Sequence, residues 1–519
     1  MYWKNKSVLI LLVILLIGCT QESPTSSQKP NIIYILADDL GYGELGAYGQ
    51  EIIETPNIDR LAQNGMMFSQ HYAGSTVCAP TRYILMTGKH SGHAYIRGNS
   101  ARPGRDVWDF EALRENPERE GNLPIPDSTV TVAEVLQTGG YQTAVVGKWG
   151  LGGPGTEGLP NDQGFDLFYG YLDQAFAHTF YPIYLWKNKE RVFLDNEPVN
   201  PHIGRSSDSG NLDPEDPATY EPFHDQPDYS PALMLDEMLS FIEESGEDPF
   251  FLYYATPIPH VSLQAPQRWI DYYRDKLGEE KPYLGDQGYA PNRYPRATYA
   301  AMISYLDEQV GELIAKLEET GKYDNTLIMF SSDNGPTFNG GVDASFFNSG
   351  GPFKETRGWG KAFVHEGGIR VPMIASWPGV IEPGSKTDHL SAQWDVMPTL
   401  SDIAGVDAPD NIDGISFAPI LRGDEEQQRR HTHLYWEFPA SGGQQAVRLG
   451  EWKGIRKNII RTGNMDIELY NLEEDIQEQH NIADQHPEII EKIEGIMQKE
   501  HTPPALDNFR MEVLEEGKK

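Results

Sequence analysis

Short apolar runs that end in polar residues mark the predicted strands of this chain. Four such runs, rich in β-branched and aromatic side chains, lie at residues 31–37, 143–146, 249–255 and 326–332. Continuous apolar runs of this length are typical of strands buried on both faces of a parallel sheet. Residues 299–317 carry apolar side chains at the spacing of an amphipathic helix. Strands that alternate with helices predict an α/β fold, with a large mixed, mainly parallel sheet sandwiched by helices.

Three further stretches complete the prediction for this first unit. Residues 369–374 are expected to form another strand. Residues 97–127 and 200–230 are rich in Pro, Gly and polar residues and show no periodicity, so both are predicted to be loop insertions.

The pattern changes after about residue 425. Short strand-like segments separated by turns follow at 434–436, 445–448, 452–455 and 467–470, and a helical pattern covers 488–497. Short strands joined by turns are typical of antiparallel sheets. We therefore predict a main domain at 30–425 and a smaller C-terminal α+β lobe with an antiparallel sheet at 426–519.

The N-terminus has the pattern of an export signal. Two lysines precede an apolar run at 8–17, which is shorter than the roughly 20 residues that span a bilayer. The Leu-Ile-Gly-Cys sequence that ends at Cys19 resembles the bacterial lipobox, whose cysteine carries a lipid. We expect a signal peptide at 1–18, a polar tether at 19–29, and a cell-envelope lipoprotein attached to a membrane only through Cys19. The alternative is plain secretion with an unmodified Cys19.

Composition and charge narrow the function classes. Hydrophobic residues make up 39% of the chain and aromatic residues 11%, which fits a globular core. A formal charge of -35 excludes nucleic acid as a partner, and also a broad basic groove, because phosphate binding needs clustered lysines and arginines. Of the two cysteines, only Cys78 remains inside the exported body, so no intrachain disulfide framework can form.

Oxygen-bearing side chains follow two of the predicted strands. Asp38 and Asp39 come directly after the first strand, and Asp333 and Asn334 follow the strand at 326–332. Ligands bind at the carboxyl ends of strands in open α/β sheets, and a set of oxygen ligands favours Ca²⁺ or Mg²⁺ over zinc. The alternative is that these acids only cap helices or form salt bridges.

Three carboxylates overcompensate a divalent ion, so such a site also needs cations. Arg82, Lys148 and Lys361 are the candidates. Each has an ordinary alternative as a surface or loop residue, and Lys354 and Arg357 lie close to Lys361 in the sequence.

The sequence from Cys78 to Arg82, Cys-Ala-Pro-Thr-Arg, is followed by Thr-Gly-Lys at 87–89. This pair of motifs resembles the signature of the type I sulfatases, a family with the alkaline phosphatase-like fold, and the resemblance extends over 31–483. It implies that a maturing enzyme oxidises Cys78 to formylglycine. It also implies one metal ion, Ca²⁺ rather than Mg²⁺, bound by Asp38, Asp39, Cys78, Asp333 and Asn334.

The resemblance also assigns roles to the remaining polar residues. Formylglycine at position 78 would be the nucleophile and Arg82 would orient it. Lys148 and Lys361 would hold the sulfate, and Lys361 or His260 would protonate the leaving oxygen. An ordinary structural role remains the alternative for each of these residues. His260, for example, could instead cap a helix or form hydrogen bonds in the core.

One position departs from the family pattern. Most type I sulfatases have Gly-Lys-Trp-His where this chain has Gly-Lys-Trp-Gly, so Gly150 replaces a histidine that touches the formylglycine hydroxyls. We consider His178 as a catalytic substitute, with His90 and His93 as the other candidates.

The function implied is an exported sulfatase that removes sulfate from a terminal sugar of a sulfated glycan, with the maturing enzyme as its second partner. A phosphate or phosphonate monoester hydrolase on the same fold is the first alternative. The second is a non-catalytic surface lipoprotein that binds sulfated glycans, which requires Cys78 to remain a thiol.

Overall fold

The computed structural model describes residues 29–202 and 212–515. The predicted signal peptide, the lipobox with Cys19 and all but the last residue of the tether lie outside the described residues. None of the helices described is both long enough and apolar enough to cross a membrane.

The strands and helices are as follows. The strands are β1 (Asn31–Ala37), β2 (Met66–Phe68), β3 (His71–Tyr72), β4 (Gln142–Lys148), β5 (Leu167–Tyr171), β6 (Tyr184–Lys187), β7 (Glu190–Phe193), β8 (Phe250–Ala255), β9 (Thr326–Ser332), β10 (Met373–Ser376), β11 (Ser385–Thr387), β12 (Ser391–Ala392), β13 (Leu434–Phe438), β14 (Gln444–Leu449), β15 (Trp452–Lys457) and β16 (Ile467–Asn471). The helices are α1 (Pro56–Gln63), α2 (Cys78–Thr87), α3 (Phe110–Glu115), α4 (Val132–Thr138), α5 (Ser230–Glu244), α6 (Gln267–Leu277), α7 (Pro295–Glu319), α8 (Glu366–Ile369), α9 (Val396–Ala404), α10 (Ala418–Leu421), α11 (Ile459–Thr462) and α12 (Pro487–Glu500).

The main sheet has the strand order β11-β2-β10-β9-β1-β8-β4-β5-β6-β7. Its central strands, β9, β1, β8, β4 and β5, are parallel to one another. Antiparallel pairs occur toward both edges, where β10 pairs with β9 and β6 pairs with β5 and β7. The predicted mixed, mainly parallel sheet is confirmed, and its parallel centre places the carboxyl ends of five strands along one edge.

A separate four-stranded antiparallel sheet, β13-β14-β15-β16, forms the C-terminal lobe, as predicted. Its two faces pack differently because side chains alternate across a strand. Trp436 and Ile455 face the hydrophobic core that also contains β1. Tyr435 and Val447 face the opposite way and pack against α12. The small sheet therefore lies between the main core and α12.

Two local predictions are wrong. Residues 369–374 do not form one strand: α8 ends at Ile369, and β10 begins only at Met373, after Pro372. Proline has no N–H to donate to a ladder, which explains the late start of the strand. The stretch 97–127 is not entirely loop, because it contains α3, whose N-cap Asp109 accepts a hydrogen bond from the Ala112 N–H.

Candidate active site

The carboxyl ends of β1 and β9 bring the predicted oxygen ligands together. Ala37 and Ser332 are partners in the parallel ladder, so the residues that follow them leave the sheet side by side. Asp39 has a φ of 68°, and its N–H donates to Asp333 Oδ1 at 3.0 Å. Asp tolerates this left-handed conformation better than most residues. The turn after β1 therefore holds Asp39 in contact with both Asp333 and Asn334.

Cys78 is the first residue of α2, directly beside these acids. Its side chain is 1% exposed, and its Sγ lies 3.2 Å from Asp38 Oδ1. Arg82 follows one helical turn later and is equally buried. Its Nη2 lies 3.3 Å from Asp38 Oδ2 and 3.4 Å from Asp333 Oδ2. The i, i+4 spacing of Cys78 and Arg82 thus places the thiol and the guanidinium against the same carboxylates.

Two lysines complete the cationic side of the site. Lys148 is the last residue of β4, and its Nζ lies 2.5 Å from Asp38 Oδ2. Lys361 lies in the loop before α8, and its Nζ lies 2.6 Å from Asp39 Oδ1 and 3.8 Å from Cys78 Sγ. Lys354, which was an alternative to Lys361 in the sequence, packs over the ring of Trp359 instead.

The charges in this site shift one another's pKa values. Burial opposes ionisation of Asp38, but the ammonium of Lys148, together with His260 and Arg82, holds its pKa below the usual range. Burial and the neighbouring Asp38 raise the pKa of Asp333 to about 7. Although burial opposes the charged form of Lys361, Asp39 raises its pKa well above the usual value. The cations therefore keep Asp38 ionised but compensate the charge of Asp333 only in part.

His260 lies after β8 and faces the same carboxylates. Its Nε2 is 3.7 Å from Asp39 Oδ2, and its Nδ1 donates to the Val261 carbonyl at 2.5 Å. Burial and the charge of Lys361 lower its pKa to about 4, so at neutral pH the ring is neutral with an unprotonated Nε2. His178 stacks on this ring with centroids 4.4 Å apart and contacts His202 Nε2 through Nδ1 at 2.8 Å.

The comparison with known proteins identifies the family. Residues 30–406 match the family described as Sulfatase, and residues 355–502 match the C-terminal family of N-sulphoglucosamine sulphohydrolase. This chain belongs to the sulfatase family. It is a sulfuric ester hydrolase with the alkaline phosphatase-like fold, as the sequence motifs predicted.

Individual relatives agree with this assignment. Human arylsulfatase A is 33% identical over 82% of this sulfatase and 75% of its own length. N-acetylgalactosamine-6-O-sulfatase from Bacteroides thetaiotaomicron is 30% identical over 96% of this chain and all of its own. The crystal structure of Ps i-CgsB has a TM-score of 0.70 and 26% identity, over 92% of this chain and 94% of that one.

The donor set of this sulfatase fits a hard divalent cation. Sulfatases generally use a metal ion, and one atom each from Asp38, Asp39, Cys78 and His260 lies within 4.8 Å of the others. Asn334 donates its Nδ2 to Asp39 Oδ1 at 2.8 Å, but its buried Oδ1 has no hydrogen-bond partner within 29–202 and 212–515. An unpartnered buried amide oxygen costs free energy, and a bound cation would remove that cost. Three carboxylates in one buried site also favour a cation.

The space beside Gly150 is filled by a side chain that the sequence did not single out. A Cβ atom on Gly150 would lie 2.6 Å from Gln174 Cγ, and Gly150 has a φ of 78°. The amide of Gln174 is buried, and neither its nitrogen nor its oxygen has a hydrogen-bond partner in the described part of the chain. Gln174 comes shortly after the end of β5, so the strand-end rule that selected Lys148 also applies to it.

Half-buried aromatic rings lie next to His260. Tyr289 approaches His260, His178 and His202, with ring centroids 6.1, 5.6 and 4.9 Å apart respectively. The ring centroids of Trp108 and His202 are 5.8 Å apart. Burial raises the pKa of Tyr289, and the positive charge of Lys361 opposes this rise. No apolar strand precedes these residues, so the sequence pattern did not reveal them.

The other two histidine candidates lie in a different cluster. His93 Nδ1 contacts Asp413 Oδ1 at 2.9 Å, and His90 Nε2 contacts Glu500 Oε2 at 3.3 Å. Neither residue is among those that surround Cys78. The prediction that His90 or His93 replaces the missing histidine is therefore not supported. His178, in contrast, lies beside the site because its ring stacks on that of His260.

Proposed function

We propose that this sulfatase removes sulfate from a terminal sugar of a sulfated glycan, using formylglycine made from Cys78 and one bound Ca²⁺ ion. The observation that carries the proposal is the position of Cys78. Its Sγ lies 3.2 Å from Asp38 Oδ1 and 3.8 Å from Lys361 Nζ, in a buried site.

Cys78 is poorly suited to act as a thiol. Burial, Asp333 and Asp38 raise its pKa well above the usual value, so the thiolate that a cysteine nucleophile needs is disfavoured. Conversion to formylglycine removes this difficulty. The hydrated aldehyde would supply a hydroxyl nucleophile, and Ca²⁺ held by Asp38, Asp39, Asp333 and Asn334 would stabilise negative charge on the sulfate.

The charge count of the site supports an anionic substrate. Arg82, Lys148 and Lys361 balance three carboxylates, so a divalent ion leaves the site with an excess of two positive charges. A sulfate ester carries one negative charge and needs cationic groups around its non-bridging oxygens. We assign Lys148 and Lys361 to bind the sulfate oxygens, and Arg82 to orient residue 78.

Lys361 is the better candidate for protonating the leaving oxygen. Its raised pKa keeps it protonated at neutral pH, and its ammonium lies 3.8 Å from Cys78 Sγ. His260 has a lowered pKa and an unprotonated Nε2, so it accepts rather than donates a proton at neutral pH. His178, stacked on His260, would orient that ring.

A sugar substrate is supported by the surroundings of the site and by the relatives. Tyr289 presents a half-buried ring beside His260, and the rings of His202 and then Trp108 extend from it. Such rings pack against the apolar faces of sugars. One relative is named for N-acetylgalactosamine 6-O-sulfate, and Ps i-CgsB was solved with k-i-k-neocarrahexaose. The chain's charge of -35 argues against a long basic groove and so favours a terminal sugar.

The proposal also includes export of the enzyme to the cell envelope. The apolar run at 8–17 and the Cys19 lipobox support a lipoprotein of the cell envelope, where sulfated glycans would reach the enzyme. The maturing enzyme that oxidises Cys78 is then a required partner during synthesis.

Two measurements on one preparation test the proposal. The enzyme is produced together with a formylglycine-generating enzyme, and mass spectrometry of the Cys78 peptide measures conversion. Monosulfated sugars of defined position and a phosphate monoester are then assayed side by side, with Cys78→Ala as the inactive control. We expect conversion of Cys78 and turnover of a sulfated sugar that needs added Ca²⁺.

Two outcomes would overturn the proposal. Dominant phosphate or phosphonate turnover would favour the alternative hydrolase. A fully retained thiol, with the maturing enzyme active on a control substrate and no turnover, would favour the glycan-binding alternative.

A further inference from the structure

A second cluster of metal-binding side chains lies where the two lobes meet. It consists of His90 and His93, which follow α2, Asp413 before α10, His433 before β13, and Glu500 at the end of α12. We call these five residues the junction cluster. It shares no residue with the site around Cys78, and its members come from both the main domain and the C-terminal lobe.

Short distances connect all five members. His93 Nδ1 lies 2.9 Å from Asp413 Oδ1, and His433 Nε2 lies 3.2 Å from Glu500 Oε1. His90 lies between the two pairs, with Nε2 at 3.8 Å from Asp413 Oδ1 and 3.3 Å from Glu500 Oε2. One ligand atom each from His90, His93 and Glu500 lies within 4.8 Å of the others. The two histidine–carboxylate pairs therefore face each other.

Within each histidine–carboxylate pair, the spacing is that of a metal site. Donor atoms bound tetrahedrally at 2.0–2.1 Å lie about 3.3 Å apart. Within the two pairs the donors already have this separation, and only the distance between the pairs must shorten. A cavity of about 310 Å³ is lined by His90, Asp413, His433 and Glu500, so an ion has room to enter.

Hydrogen bonds decide which imidazole nitrogens are available. The Gly92 N–H donates to His90 Nδ1 at 3.1 Å, so the proton of neutral His90 is on Nε2, which can donate to Glu500. His433 Nδ1 lies 3.0 Å from the hydroxyl of Thr432, so this nitrogen can carry the proton and leave Nε2 free for a metal. In metalloproteins, a hydrogen bond to the ring nitrogen that does not bind the metal holds a histidine ligand in position.

We propose that the junction cluster binds one divalent transition-metal ion of the Zn²⁺ class. The direct ligands are His93, His433, Asp413 and Glu500, and His90 holds Glu500 through its Nε2–H. On binding, the proton of His93 moves from Nδ1 to Nε2. Imidazole and carboxylate ligands together favour Zn²⁺ over the Ca²⁺ expected at the oxygen-rich site.

The surrounding charges allow this ion. Asp413 and Glu500 carry two negative charges, and Lys499 Nζ lies 2.7 Å from Glu500 Oε1. The side chain of Lys499 is 76% exposed, so it can move to solvent when a metal takes its place. Arg429 and Arg430 also line the cavity, but both are exposed and can turn toward solvent. The bound ion would then connect α12 and the segment before β13 to the loop after α2, and so fasten the two lobes together.

The test uses the full-length enzyme, first treated with a chelator and then supplied with excess Ca²⁺ to fill the oxygen-rich site. Zn²⁺ is titrated by calorimetry, and Co²⁺ is titrated by visible absorption, because tetrahedral Co²⁺ absorbs far more strongly than octahedral Co²⁺. We expect one ion per chain, and at 100 times the Kd of Zn²⁺ a rise in the thermal unfolding midpoint of about 2–3 °C.

Variants assign the ion to the cluster. His93→Ala and His433→Ala should each abolish the cobalt absorption, and His90→Gln should weaken binding by about 10–100-fold. His480→Ala, at an 80% exposed histidine in the C-terminal lobe, is the matched control and should bind as the parent does. Circular dichroism without metal confirms that each variant is folded.

The proposal is overturned if the parent enzyme binds no Zn²⁺ or Co²⁺ under these conditions. It is equally overturned if folded His93→Ala and His433→Ala proteins bind these ions as tightly as the parent. None of these readouts depends on turnover, so they remain separate from the test of sulfatase function.

Discussion

Replacing Lys453 tests how the C-terminal lobe supports the segment that carries Lys361. Lys453 lies in β15, and its Nζ is 2.7 Å from Glu366 Oε1 and 3.2 Å from Glu478 Oε1, with all three side chains at most 1% exposed. Glu366 is the first residue of α8, five positions after Lys361. The Lys453→Met variant keeps the side-chain length but leaves two carboxylates buried without this cation.

The expected loss is large because the group is fully buried. At an effective dielectric constant of about 20, the contact of Lys453 with ionised Glu366 is worth about 6 kcal/mol before the cost of desolvation. Glu478 adds less, because burial raises its pKa to about 7. Removing one partner of a buried ion pair typically costs about 3–5 kcal/mol overall. For 519 residues, an unfolding entropy of about 2.1 cal/mol/K per residue converts this loss to a fall in Tm of about 3–5 °C.

The loss should also depend on pH. Burial opposes ionisation of Glu366, but Lys453 lowers its pKa to about 2, below the ordinary value of 4.5. A carboxyl group with a depressed pKa adds stability above pH 4.5 and loses it as the pH falls toward 2. Without Lys453, burial would raise the pKa of both carboxyl groups, so the variant would recover stability by protonating them as the pH falls. The difference between the parent and Lys453→Met should therefore be largest at neutral pH and shrink steadily toward pH 2.

Scanning calorimetry and urea unfolding measure this difference. Lys457→Met is the matched control, since Lys457 lies in the same strand and pairs with Glu468 at 2.8 Å, but both side chains are about 30% exposed. Exposed pairs contribute about 0–1 kcal/mol. If the two variants lost the same stability, or if the loss at Lys453 did not change with pH, the reasoning from burial would be refuted.

Three further predictions follow from the site and the core. Asn334→Ala should weaken Ca²⁺ binding at least tenfold, measured as a lower chelator concentration for half-inactivation, and unchanged metal dependence would contradict the assignment of its unpartnered Oδ1. Gly150→Ala should lose about 1–3 kcal/mol more stability than Gly140→Ala, because both glycines have positive φ but only Gly150 faces an atom of Gln174, at 2.6 Å from the new Cβ. Burial lowers the pKa of His71 from 6.5 to about 4, so stability should fall as the pH drops through this range, and His71→Gln should make the fall shallower in urea titrations.

The strand ends could be predicted from sequence because the signal is local. An apolar run followed at once by Asp or Lys identifies both the strand and the position of its polar neighbour. This rule placed Asp38, Asp333 and Lys148 correctly at one edge of the sheet. Parallel pairing of β1 with β9 then brought residues almost 300 positions apart into contact.

Other parts of the site could not be predicted in this way. Lys361 lies in an irregular loop near two other cations, so its selection rested on family resemblance rather than on a local pattern. Tyr289, His202 and Trp108 meet only through long-range packing of loops. Gln174 could have been found by the strand-end rule, but its importance depends on the missing side chain at Gly150, which only the packing reveals.

The shared core of the four-stranded sheet limits how this enzyme can be recombined. Trp436 and Ile455 complete the interior of the main domain, so the C-terminal lobe is not a module that can be exchanged at a surface linker. A hybrid with another sulfatase that is joined near residue 425 would inherit one half of a hydrophobic interior from each parent. Such hybrids should fold only when the inward-facing residues of β13 and β15 are transferred to match the recipient.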